Sequence, residues 1–205
     1  MELKERFIQN CLLLSEDHDL FEALWQEIEK KYSAKSRFYH NLTHLESMFY
    51  ELDAVRDWIS NFTPISFSVF YHDVIYDSTS KSNEEKSADF AVERLKKLRL
   101  NEEAIRNISV QILATKKHQK SNDDDINYLL DADLSVLGKD PATYLEYTQK
   151  IRKEYSIYPD LLYKPGRKKV LQHFLELESI FKTEYFKMKY EKQAKENLLM
   201  EIGLL

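Results

Sequence analysis

Cysteine, glycine and proline are scarce in this chain: it has one Cys, 3 Gly and 4 Pro in 205 residues. A single thiol, Cys11, excludes an internal disulfide framework and any cysteine-based zinc finger, and it fits a reducing cytoplasm. Basic charge is not in excess either, since 30 Lys+Arg stand against 35 Asp+Glu for a formal charge of −5. Sequence-independent nucleic-acid binding needs a pervasive positive field, so no nucleic-acid partner is expected, and Arg167-Lys168-Lys169 reads as a solvated helix end. Long apolar runs are missing as well. Nothing approaches the roughly 18 to 20 consecutive apolar residues of a membrane-spanning helix, and mean hydropathy is −0.56. Met1 to Leu14 has only Cys11-Leu12-Leu13-Leu14 as a continuous apolar stretch, which does not make a signal peptide. The expectation is a cytoplasmic protein with no membrane partner.

What is present is a core. Hydrophobic residues make up 43% of the chain and aromatic residues 13%, with 13 Tyr and 11 Phe, too much apolar surface for a disordered acidic chain. The length suits one domain, spanning 1–205, with a helical extension over about 156–205. The few chain breakers fall at expected helix boundaries, and strand-like alternation is missing, so the expected fold is all-α with about nine helices. Thr63-Pro64 and Asp140-Pro141 each read as a capping residue followed by Pro at the first helical position. Ser82-Asn83-Glu84-Glu85 has capping-box spacing, and Asn101-Glu102-Glu103 opens another helix. The segment Asp125 to Leu137 closes on Gly138, read as a left-handed cap. Further helices are expected over Leu20 to Tyr32, Leu42 to Val55, Ile65 to Ile75, Lys168 to Phe181 and Phe186 to Ile202, the last packing on its own domain. Oligomeric state is open.

Three polar elements stand out. Tyr39-His40-Asn41-Leu42-Thr43-His44 places two histidines four apart, on one face if a helix begins there, and Asp73 and Asp77 in Tyr71-His72-Asp73-Val74-Ile75-Tyr76-Asp77 have the same spacing. His72-Asp73 follows Phe67, Val69 and Phe70, where burying an imidazole beside a carboxylate is costly unless each finds a partner. A divalent cation is one such partner. Asp131-Ala132-Asp133-Leu134 lies in a third apolar stretch, and residues two apart on a helix point about 200° apart, so one ion cannot easily use both aspartates.

The order His44, then His72-Asp73, then Ala132-Asp133 resembles the H…HD…D pattern of the HD superfamily, all-helical metal-dependent phosphohydrolases holding one or two divalent cations. Tyr39-His40-Asn41-x-x-His44 is similar to a stretch of the cyclic nucleotide phosphodiesterases, as are Ile112-Leu113-Ala114-Thr115 with His118 and Ala132-Asp133-Leu134-Ser135. His72 to Asp77 is similar to the H-D-V-V-E-D stretch of guanosine tetraphosphate hydrolase domains, with Tyr76 in place of the glutamate. Asn83-Glu84 and Ile151-Arg152-x-Glu154-Tyr155 also fit a small bacterial group of HD phosphohydrolases. The resemblance covers roughly 37–155.

The resemblance implies that His44, His72, Asp73 and Asp133 ligate a metal and that His40 faces substrate as general acid. Asp131 is then a second-shell partner or a helix surface charge. Two nitrogens and two carboxylates suit manganese, iron, nickel, cobalt or zinc, with magnesium possible, and one ion is favoured over two. His118 and Asp77 could complete a second metal site, His118 reads equally as a surface residue, and Glu84 is an alternative base. The implied reaction is hydrolysis of a phosphate ester or anhydride of a nucleotide or other small phosphorylated metabolite by metal-bound water, with Asp73 or Asp77 taking its proton. Lys116, Arg152 and Arg167 are candidate phosphate clamps. The alternatives are a non-catalytic nucleotide- or metal-binding regulatory HD module and a di-iron HD oxygenase.

Overall fold

A computed structural model describes residues 1–205, all of whose regular structure is helical. In chain order the helices are α1 (Leu3–Leu12), α2 (His18–Tyr32), α3 (Leu42–Ala54), α4 (Phe62–Tyr71), α5 (Asn83–Lys97), α6 (Glu102–Ala114), α7 (Asp124–Leu134), α8 (Pro141–Glu154) and α9 (Asp160–Glu176). A last run starts with α10 (Glu184–Phe186), passes through a π-helical turn (Lys187–Glu191) and continues as α11 (Lys192–Leu204). Counting that run once, there are ten helices. The one beyond expectation is α1, whose Leu3, Phe7 and Cys11 recur at intervals of four and are buried.

At the centre is α4, FTPISFSVFY, with every residue from Pro64 to Tyr71 buried. It is apolar all round because α1, α3, α5, α6 and α7 all pack against it. Phe7 meets Phe67 and Phe70 edge-on at 6.1 and 5.2 Å, and each fully buried Phe contributes about 2 to 3 kcal/mol. The two buried serines are satisfied: Asn10 donates to Ser66 Oγ, and Ser68 donates to Gln111 Oε1, both at 2.6 Å.

Several local expectations need correction. Asn61, not Thr63, precedes α4, and Pro64 sits third in the helix, where its missing N–H is one of the unpaired first-turn groups anyway. The helix stops at Tyr71, so His72 is its C-terminal cap and Asp73 to Ser82 is loop; Asp73 and Asp77 share no helix face. Ser82 makes no side-chain cap on α5. Asp140, by contrast, accepts from Ala142 N and Thr143 N in front of Pro141 as read, a device worth about 1 kcal/mol. Gly138 is not left-handed, since no glycine has positive φ. A Cβ there would lie 2.8 Å from Tyr190 O and 2.9 Å from Tyr190 Cα, so close approach of the last helical run requires glycine. Helix α9 begins at Asp160 rather than Lys168 and runs through Pro165-Gly166, a pair that reads as a breaker.

One cluster of 39 buried residues extends from Leu3 to Leu198, so the C-terminal run shares the core of the motif region. Asn197 donates to Leu137 O and Lys139 O at 2.9 and 2.8 Å. No helix is long and apolar enough to cross a membrane.

Candidate metal centre

Four segments distant in sequence meet beside the C-terminus of α4. Asn41 caps α3, its side chain accepting from Thr43 N at 3.0 Å, and this places His44 in the first turn. His40 precedes the helix, so His40 and His44 converge through the loop, with ring centroids 6.0 Å apart, rather than as helix neighbours. His72 projects from the end of α4 and Asp133 from α7. His44 and His72 are 4% and 1% exposed.

The atoms face one another closely. His44 Nε2 is 3.3 Å from His72 Nε2 and 3.1 Å from Asp133 Oδ1. His72 Nε2 lies 3.9 Å from Asp133 Oδ1 and 3.2 Å from Asp73 Oδ2. His72 Nδ1 donates to Val69 O at 2.9 Å, which leaves a lone pair on Nε2 of the neutral ring. Two neutral imidazole nitrogens that face each other in a buried site need a proton or a cation between them. Without a cation the proton goes to His72: burial opposes its charge, but Asp73 and Asp133 outweigh that and lift it to about 9. Burial holds His44 below its ordinary value against the pull of Asp133. Asp133 is held well below the carboxylate range because His118, His44 and His72 outweigh its burial.

His44, His72 and Asp133 form a group that could hold a metal ion, with all ligand atoms within 4.8 Å of one another. Ligand atoms at about 2.1 Å from a common ion are about 3.0 to 3.4 Å apart at octahedral or tetrahedral angles, which the shorter separations here match. Asp73 stands outside this group. Its Oδ2 spans from His72 to His40 Nε2, 3.9 Å away.

Around these residues is a supporting layer that the sequence reading largely missed. Glu154 Oε1 accepts from the backbone N–H groups of Phe38, Tyr39 and His40 at 2.7 to 3.0 Å, while Oε2 receives His40 Nδ1 at 2.6 Å and Tyr76 OH at 3.0 Å. That pairing overcomes burial and raises the affinity of His40 for a proton. Buried Arg37 donates to His40 O, Asp73 O and Val74 O at 3.2, 2.7 and 3.0 Å, tying both histidine loops together. On α5, Asn83 pairs with Asp77 N and O, and Ser87 with Ile75 N and O. The only advance signal was the place of Glu154 and Asn83 in the resemblance; nothing marked Arg37.

Other expected site residues sort as follows. His118 is no surface residue: its Nε2 is 2.8 Å from Asp133 Oδ2, and its backbone is left-handed at φ 48°, a conformation that costs about 1 kcal/mol outside glycine. Asp77 is exposed, accepts from Thr79 N and Oγ1 in a local turn, and is absent from the cavity lining. Asp131 is neither a surface charge nor a partner of the ligands. It is fully buried and accepts from Lys182 N, Thr183 N and Thr183 Oγ1 at 2.7 to 2.8 Å, fastening the C-terminal segment to α7.

The group opens into a cavity of about 620 Å³. Glu84, Lys116, His118 and Arg167 line it, with Tyr39, Tyr76, Tyr147, Tyr155, Tyr158 and Tyr163. Neither basic side chain is free. Lys116 is paired with Glu85 and donates to Lys81 O, and Arg167 forks onto Glu201 at 2.7 and 3.0 Å. Arg152 is outside the lining and instead binds Asp160, Tyr155 O and Tyr158 O, fixing the turn before α9.

The fold and site together define an all-α protein with a buried His-His-Asp group, placed at a cavity, that could accept a metal ion. Against family models, curated proteins and solved structures, the chain has no match.

Proposed function

We propose that this chain is an HD-type metal-dependent phosphohydrolase acting on a phosphate ester of a nucleotide or other small phosphorylated metabolite. The observation that carries this reading is the approach of His44 Nε2 to His72 Nε2 at 3.3 Å, beside Asp133, at a cavity. His44, His72 and Asp133 would hold one divalent ion, with Asp73 as the adjacent second carboxylate. A nitrogen-rich mixed set suits manganese, iron, nickel, cobalt or zinc better than magnesium. Such an ion, when bound, supplies a Lewis acid that lowers the pKa of water and withdraws charge from a phosphoryl oxygen.

The remaining work falls to the chain. The Nδ1–H of His72 on Val69 O keeps Nε2 directed at the ion position. Asp73, 3.2 Å from His72 Nε2 and 3.9 Å from His40 Nε2, would accept the proton of the attacking water. His40, whose affinity for a proton Glu154 raises, would donate from Nε2 to the departing ester oxygen, so one P–O bond forms as the other breaks. His118 fixes the second oxygen of Asp133. The lone buried Cys11 thiol, pushed up to about 12 by burial and so unreactive, fits a reducing cytoplasm.

Metal content by plasma mass spectrometry, on protein purified without a histidine tag, tests the reading together with turnover of p-nitrophenyl phosphate. About one equivalent of transition metal and metal-dependent turnover are expected. Stoichiometric metal without turnover would favour a binding module, and no metal after incubation with manganese, nickel and zinc would end the proposal.

A further inference from the structure

The geometry points to the inner face of α9, centred on Gly166, as the wall that selects the organic group of the substrate, and to a nucleoside monophosphate as the class it takes. This rests on the hydrolase reading for the phosphate end of the cavity. Helix α9 contributes Leu162, Tyr163, Gly166, Val170 and Phe174 to the lining, with Phe174 beside His118 at 6.4 Å between ring centroids. Most of this face is not used in packing, since only Tyr163 and Leu171 of the 17 residues of α9 are buried. A Cβ at Gly166 would meet nothing within 4 Å, so its missing side chain leaves open space. Half-buried Tyr147, Tyr155 and Tyr158 also line the cavity and offer the kind of rings on which a flat base stacks.

Charge limits the phosphate end to one group. Asp73 and Asp133 would together neutralise a divalent ion, and the two cationic side chains in the lining, Lys116 and Arg167, are each committed to a glutamate. A triphosphate would bring three or four negative charges to a cavity with no free lysine or arginine to meet them. A single phosphate needs only the centre itself.

Isothermal titration calorimetry on the metal-loaded full chain, with adenosine monophosphate, adenosine triphosphate and inorganic phosphate, tests this on wild type and Gly166→Leu. The monophosphate is expected to bind more tightly than the triphosphate. The substitution is expected to weaken the monophosphate tenfold or more, while phosphate affinity and metal content hold. Gly166 has no positive φ and no neighbour to displace, so folding is preserved, which a melting temperature no lower than wild type would verify. Unchanged monophosphate affinity in the variant, equal weakening of phosphate, a tighter triphosphate, or no monophosphate binding by wild type would each overturn the assignment. Turnover of p-nitrophenyl phosphate is read separately. If it occurs while Gly166 proves indifferent, this inference falls alone; if Gly166-dependent binding appears without turnover, the hydrolase reading falls and the wall stands.

Discussion

Two buried charged clusters in this molecule close their charge in opposite ways. Around Glu51, whose side chain is fully buried, every acceptor has a donor from the chain: Lys139 at 2.5 Å and Tyr190 OH at 2.6 Å on Oε1, and Lys189 at 2.9 Å on Oε2. Around His44 and His72, two nitrogens face each other and the nearest charges are carboxylates. The first cluster is complete as folded, whereas the second has room for a proton or a cation between its facing nitrogens. The same contrast extends to the glycines beside them. Gly138, next to the Glu51 cluster, has Tyr190 backbone where a Cβ would be, while Gly166, at the cavity, has empty space. Tight closure marks the first cluster, and open valence beside open volume makes the second the candidate functional site.

The sharpest way to break the comparison is to remove the open valence. His72→Ala/Asp73→Ala is expected to lose the metal altogether by plasma mass spectrometry and to bring phosphoester turnover down to background, yet to melt within a few degrees of wild type. Retained stoichiometric metal would show that the two clusters do not differ as argued. In the closed cluster, Glu51→Gln should do the reverse. It leaves two lysines facing a neutral amide, and because each is partly solvated the expected loss is about 2 to 3 kcal/mol in urea unfolding, with metal content untouched. Lys139, Lys189 and Tyr190 outweigh burial and hold the Glu51 carboxyl below its ordinary value. Its stabilisation is therefore present above the unfolded-state pKa of about 4.5 and is lost as pH falls through the lower folded value. The acid limb of a stability–pH curve should flatten in the glutamine variant; an unchanged limb would remove Glu51 from the account.

Smaller effects sharpen the boundary between support and chemistry. Glu154→Gln keeps the size of the side chain that orients His40 but removes its charge, and turnover should drop about tenfold to a hundredfold while metal content stays at wild-type level. Loss of metal in this variant would instead make Glu154 part of the ion's support. The glycines then give the mildest pair. Gly138→Ala should cost about 1 to 3 kcal/mol by overpacking against Tyr190. Gly166→Ala should raise stability by about 0.5 to 1 kcal/mol, because α9 gains a better helix former at no steric cost. Opposite signs in thermal denaturation are the expected result, and equal signs would contradict the packing described for one of the two sites.

Much of this was legible in the chain. Period and capping residues marked nine of the ten helices, and Asn101 and Asp140 cap where their spacing says they should. Where reading failed, a tertiary effect had overridden a local rule. Helix α9 continues through Pro165-Gly166; Gly138 answers to Tyr190, 52 positions on, rather than to a helix end. At the site, His72-Asp73 and the Asp131/Asp133 pair stood out because unpaired polar groups are costly in apolar surroundings, while His44 and the choice of Asp133 over Asp131 came from the resemblance to the HD pattern. Their neighbours Arg37 and Glu154 were harder to see. A buried arginine bonded to three carbonyls, and a glutamate bonded to three amides, use backbone partners that leave no pattern in side-chain order.

Composition and periodicity alone determined an all-helical chain without disulfides, because breakers, cysteines and apolar spacing act within a few residues of each other. They also determined which helix would be buried, since α4 has no polar face to turn outward. Only the tertiary structure decided how the candidate ligand atoms meet, for it alone brings Glu154 across 114 residues to His40 and His72 across 28 to His44. It alone decided which aspartate serves what. Asp131 and Asp133 share one helix and one composition, but the first faces the Lys182–Thr183 backbone and the second faces three imidazoles, and those surroundings set the charge each can hold.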